Sequence, residues 1–110
     1  MSVHVIEHVA RAAANVRDAQ HISRFKHAVR EFLRVLSEVP DEAAGSATSE
    51  VGRALQLLAQ DVIDLIEERV PDVHKAADAQ ELVSDVYEIR RLLEEVTRWR
   101  HHYALTTRSV

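Results

Sequence analysis

The chain has 110 residues, 29% of them charged and 46% hydrophobic, with no cysteine and a net charge of −4 at pH 7. That length fits one domain able to bury roughly 60 to 70% of the surface its unfolded form exposes, and the missing cysteine excludes a disulfide framework and a thiolate zinc site. No stretch approaches the ~20 apolar residues of a membrane span, and His4, Glu7, His8 and Arg11 break up any signal-like apolar run near the N-terminus, so the expected setting is cytoplasmic.

The charge is unevenly spread. Residues 1–38 carry six Lys/Arg against four Asp/Glu, residues 39–69 two against seven, residues 70–97 three against seven, and residues 98–110 three against none. Basic ends and an acidic middle are what helices neutralising one another require. A nucleic-acid domain needs a surplus of positive charge, so nucleic acid is not the expected partner.

Only two glycines and two prolines interrupt the chain, and apolar residues recur at helical spacing, so the expected fold is all-α. A first helix is expected over 3–39, with Ser2 as its N-cap, Val9, Val16, Phe25, Phe32 and Leu36 on its apolar face, and Pro40 ending it. At 1.5 Å per residue this rod would be about 54 Å long, more than later helices can cover. It therefore either breaks near residues 15–20, with Asp18 capping a new segment, or packs its excess on another subunit. Residues 40–48 form the expected loop. A second helix over 49–70, capped by Ser49, carries apolar side chains around more than half its circumference and should be central. The third is expected over 72–104, starting at Asp72 or, with a capping box from Asp78 to Glu81, at Asp78, and a frayed tail follows at 105–110. Its seam Leu82, Val86, Ile89, Leu93, Val96 repeats four-three-four-three, the interval at which one helix faces another.

These elements make an antiparallel bundle of three helices, or four if the first is broken, completed by dimerisation. The expected interface residues are Leu58, Leu65, Leu82, Val86, Ile89, Leu93, Val96 and Trp99. The function this supports is an assembly or adaptor module, acting through self-association or a partner helix.

Three constellations could carry chemistry. Among the seven histidines, His4, Glu7 and His8 form an HxxEH pattern that resembles the zinc motif of the inverzincin peptidases, since His at i and i+4 share one helix face. In an up-down-up bundle His4 and His8 would approach Glu68, His74 and Asp78, the candidate metal set, although the expected reading is solvated side chains at helix ends with no metal or other cofactor bound. The carboxylates Asp61 and Asp64, followed by Glu81 and Asp85, resemble the paired acidic motifs of the MazG-type nucleotide pyrophosphohydrolases. That resemblance implies an all-α enzyme holding Mg2+ against a triphosphate, which is the alternative function. It departs from the family in having Asp at both positions of the first pair and a spacing of four in the second. The segment His27-Ala-Val-Arg30-Glu-Phe-Leu33, with Gln60-Asp-Val-Ile-Asp64-Leu65, is similar to the phosphotransfer hairpin of two-component histidine kinases. Here Ala28 and Phe32 replace the expected acid and proline. Residues 98–103 mix Arg98 and Arg100 with Trp99 and Tyr103, a helix-end composition that also suits an interface. A nucleophilic serine motif, a phosphate-binding glycine loop and a dinucleotide fingerprint are absent.

Overall fold

The structure, a computed structural model, describes the backbone of residues 2–108 and the side chains of residues 5–104. Four helices follow one another: α1 (Ser2–Arg17), α2 (Ile22–Ser37), α3 (Asp41–Arg69) and α4 (Ala76–Arg108), with one turn of 3-10 helix, Val70–Asp72, between the last two.

The long first rod is broken, and the chain turns back on itself at residues 18–21. Asp18 does not cap the new segment as expected. Its N–H donates to the Ala14 carbonyl at 2.9 Å and the Ala19 N–H to the Val16 carbonyl at 3.2 Å, so both belong to the closing turn of α1. The N-cap of α2 is His21, in extended backbone and without a side-chain cap. Folding back lets two apolar stripes meet one core: Val9, Ala12, Ala13 and Val16 from α1, and Ile22, Phe25, Val29 and Phe32 from α2. Burying each phenylalanine stabilises the fold by about 1.5 to 3 kcal/mol, far more than the single helical turn given up at the break. Ser2 lies in the first turn of α1, and its side chain is outside the described residues.

The expected loop at 40–48 is helix. Pro40 stands at the N-cap of α3, and its carbonyl accepts the N–H groups of Ala43 and Ala44 at 2.9 and 3.0 Å. Asp41 and Glu42 follow in the first turn, where carboxylates offset the positive end of the helix dipole. Gly45, Ser46 and Ser49 resemble a loop in composition, but Ala43, Ala44, Ala47 and Val51 form a buried stripe at helical spacing, and burial decides. Ser49 is consequently interior to α3 rather than its cap.

The last helix also differs at both ends. It starts at Ala76, so Asp78 sits in its first turn and not at the cap; the carboxylate accepts the His74 N–H at 3.5 Å, and the expected capping box does not form. The helix continues to Arg108, so residues 105–108 of the expected tail are helical, while 109–110 lie outside the described residues.

Two antiparallel hairpins, α1–α2 and α3–α4, lie side by side. Lys26 and Arg30 pair with Asp85 and Glu88, so α2 runs parallel to α4. At one end Tyr103 Oη donates to Asp41 at 2.9 Å, and Arg100 Nε donates to the Thr48 carbonyl at 3.3 Å, so α3 and α4 run antiparallel. Arg17, at the end of α1, approaches Asp61 in the second half of α3. Helices α2 and α3, although consecutive, sit across the diagonal with little contact. The result is a rod-like bundle of 53 × 23 × 20 Å.

The buried seam of α4 is not the expected one. Ile89 and Val96 point inward as foreseen, but their companions are Asp85 and Leu92, while Leu82, Val86 and Leu93 are only half-buried on the flank. An acid therefore stands in the inward stripe. It is tolerated because Lys26 of α2 reaches it, while Leu82, Val86 and Leu93 pack against the edge of the core.

Candidate functional site

Of the four carboxylates singled out in the sequence, Glu81 and Asp85 line one cleft, while Asp61 and Asp64 do not line it. Asp61 is half-buried on α3 with Arg17 Nε 4.0 Å away, and its Oδ2 has no hydrogen-bond partner. Asp64 faces solvent and accepts from Gln60 at 3.0 Å. Asp85 accepts from Lys26 Nζ at 2.8 Å, and Glu81 is exposed near the start of α4. Among the described residues no three His, Asp or Glu side chains come together in an arrangement that could hold a metal ion.

The candidate His8 is not brought to the other described candidates either, because the break in the first rod reverses its direction. Helix α1 ends, rather than begins, near the α3–α4 turn, so His8 lies about 14 Å back along α1 from that end. It is exposed and lies near Glu31 of α2. The hydrogen bond from Arg34 is the main cause holding the Glu31 carboxyl below its ordinary value; desolvation opposes it, and the charges of Arg34, His27 and His8 add to it. The candidates His74, Asp78 and Glu68 stay at the α3–α4 end, and the His4 side chain lies outside the described residues. The two segments similar to a phosphotransfer hairpin are on α2 and α3, the diagonal pair, so His27 does not face the Gln60–Leu65 stretch as in such a hairpin.

Sequence reasoning missed a polar cleft at this end of the bundle. It has a volume of about 420 Å³ and is lined by His21, Glu68, Arg69, Asp72, Glu81 and Asp85. The signal was available: Glu68 with Asp72, and Glu81 with Asp85, are i, i+4 pairs on either side of the α3–α4 turn, and antiparallel packing brings such pairs to one place.

The apolar counterpart is a groove of about 440 Å³ on the outer face of the α3–α4 hairpin, lined by Val62, Ile63 and Ile66 of α3 and Val86, Ile89 and Leu93 of α4. Arg90 and Glu94 rim it and pair with each other at 3.3 Å. The large hydrophobic side chains left exposed among the described residues are Leu57, Ile63, Val70, Val83 and Tyr87, all of them on α3, α4 or the turn between. None is on α1 or α2. The asymmetry follows from the topology, since α1 and α2 cover only the inner face of the longer hairpin.

Of the residues expected at an interface, Leu58, Leu65, Ile89 and Val96 are in the chain's own core. Leu82, Val86, Leu93 and Trp99 are half-buried around it, with Trp99 stacked 4.9 Å from Tyr103 at a tilt of 51°. The broken first helix thus accounts for burying much of the wide apolar surface of α3, and what stays open is the groove.

No helix among the described residues is long and apolar enough to cross a membrane. Comparison of the chain with protein-family models, with curated proteins and with solved structures finds no match.

Proposed function

We propose that this protein is an assembly module whose working surface is the outer face of the α3–α4 hairpin, where it docks another apolar helical face. The observation that carries this is the groove on that hairpin, lined by Val62, Ile63, Ile66, Val86, Ile89 and Leu93, with Ile63 47% exposed in it. Contiguous apolar surface of this kind is costly to leave in water, and it marks contact sites on helical domains.

The test is size exclusion coupled to light scattering, for the wild type and for Ile63→Asp. Ile63 is 47% exposed, so a carboxylate there is solvated in the isolated chain and leaves the fold intact. The wild type is expected to associate above the chain mass of 12.5 kDa, and Ile63→Asp to remain at that mass with unchanged helicity. Association that Ile63→Asp leaves unaltered would place the working surface elsewhere.

A further inference from the structure

We infer that the partner on this face is a second copy of the chain, with the two α4 helices crossing antiparallel midway between Arg90 and Glu94 so that each Arg90 faces Glu94 of the other copy. This rests on the reading of the α3–α4 face as the working surface and goes on to name what sits there and in which register.

The carrying observation is the symmetry of one stripe of α4. Val83, Tyr87, Arg90, Glu94, Thr97 and His101 are all exposed and follow one another at intervals of four, three, four, three, four. That spacing is the same read from either end, and its centre lies between Arg90 and Glu94. Two antiparallel copies related by a two-fold axis at that centre place Arg90 against Glu94, Tyr87 against Thr97 and Val83 against His101, with every position matched.

Charge selects this register. An isologous contact sets a patch against itself, so a rim of one sign would repel its own copy, whereas this rim carries one cation and one anion. Antiparallel crossing converts them into two ion pairs between copies. Parallel crossing would put Arg90 on Arg90 and Glu94 on Glu94, which is repulsive at both positions. Beside the stripe lies the groove, with Ile63 47% and Tyr87 71% exposed as the apolar side chains that the contact would cover. The size is adequate too. Two adjacent helices present a face about 20 Å wide and about 40 Å long, close to the ~800 Å² that each partner gives to a stable interface.

The experiment uses Arg90→Glu, Glu94→Arg and an equimolar mixture of the two, measured by light scattering with helicity read alongside. Both substitutions remove the same within-helix pair, so any loss of helicity is common to them. The wild type is expected to run at twice the 12.5 kDa chain mass. Each single variant places like charges opposite each other twice, so its dimer should dissociate about ten-fold or more readily. In the mixture, the Arg90→Glu chain is acidic at both positions and the Glu94→Arg chain is basic at both, so heterodimers should form with affinity near that of the wild type. Recovery on mixing is a result that a merely structural role for either residue does not produce. If both single variants dimerise like the wild type while Ile63→Asp does not, the register falls and the face reading stands. The same holds if the mixture stays monomeric. A wild type that remains at the chain mass at high micromolar concentration overturns both.

Discussion

Lys26 of α2 holds Asp85 of α4 across the bundle, with Nζ 2.8 Å from Oδ1, and Asp85 is the buried charged residue among those described. Glu88, one turn further along α4, lies 3.4 Å from the same Nζ and also pairs with Arg30. These contacts set α2 parallel to α4 and fix which turn of one meets which turn of the other. Removing one partner leaves the other charge poorly solvated, so Lys26→Met is expected to cost about 2 kcal/mol, less than for a fully buried pair because water still reaches both groups. Lys26→Met with Asp85→Leu should return stability to near the wild-type value, since aliphatic packing replaces the pair. Urea unfolding of the four proteins of this cycle checks both statements; equal losses in the single and double variants would show that the pair does not set the register.

A second close approach concerns Gly52 of α3 and Arg100 of α4. A Cβ added at Gly52 would lie 2.5 Å from Arg100 Nε, because the guanidinium lies across the glycine to reach the Thr48 carbonyl at 3.3 Å. Gly52→Ala therefore pushes the arginine aside and loses one exposed hydrogen bond, about 0.5 kcal/mol, while alanine in a helix interior gains about 1 kcal/mol over glycine. The net expectation is a stabilisation of about 0.5 kcal/mol. Making the substitution in an Arg100→Ala background should show nearly the full propensity gain. If Gly52→Ala destabilises by more than about 1 kcal/mol, the contact is rigid and the helices cannot adjust around it.

The all-α class and the break near residues 15–20 were legible, because they rest on periodicity and on a length that one subunit could not cover; α3, expected to be central, instead occupies one corner of a four-helix bundle with its outer face open. The boundaries at Asp41 and Ala76 were not legible. In the first case the alanines 43, 44 and 47 are neutral in composition and become decisive only when tertiary packing buries them. The rotation of the α4 seam was hidden for a related reason. Counting apolar letters selects Leu82, Val86 and Leu93, and the chain instead turns Asp85 inward because a lysine 59 residues earlier in the sequence meets it. The approach of His8 to Glu68 and His74 presupposed an unbroken first helix, and the break instead sets His8 back along α1 from the α3–α4 turn. The groove was visible only as a surplus of apolar surface, not as a place.

Tyr103 provides a pH-dependent link between the start of α3 and the last turns of α4. Its phenol donates to Asp41 at 2.9 Å, and this hydrogen bond, together with desolvation and the nearby carboxylate charge, holds its pKa above the ordinary value of 10.0. The protonated form is the one favoured by folding. Its contribution is therefore fully present below pH 10 and is lost as pH rises through the higher folded value. The chain has two tyrosines, so Tyr87→Phe leaves Tyr103 as the one phenol to follow by ultraviolet absorbance. Phenolate should appear above the ordinary value, and Asp41→Asn should move it down. A midpoint unchanged by Asp41→Asn would mean that the hydrogen bond is not kept in solution.

Leu58 and Ile63 lie on the same helix less than two turns apart and should respond in opposite ways to the same kind of change. Leu58 is fully buried in the core, and its truncation to alanine leaves a cavity that the neighbouring helices cannot close; about 2 to 5 kcal/mol of folding stability should be lost. Ile63 is 47% exposed at the groove, and its truncation should change folding stability by less than about 1 kcal/mol. Association should show the reverse order. Ile63→Ala removes apolar area from the contact face and should weaken dimerisation, whereas Leu58→Ala, studied at a temperature where it is still folded, presents an unaltered outer surface and should dimerise like the wild type. Thermal unfolding and sedimentation of the two variants together make the distinction. If Leu58→Ala, while fully helical, loses association as readily as Ile63→Ala does, then the core and the contact face are one cooperative unit, and the subunit fold depends on its partner.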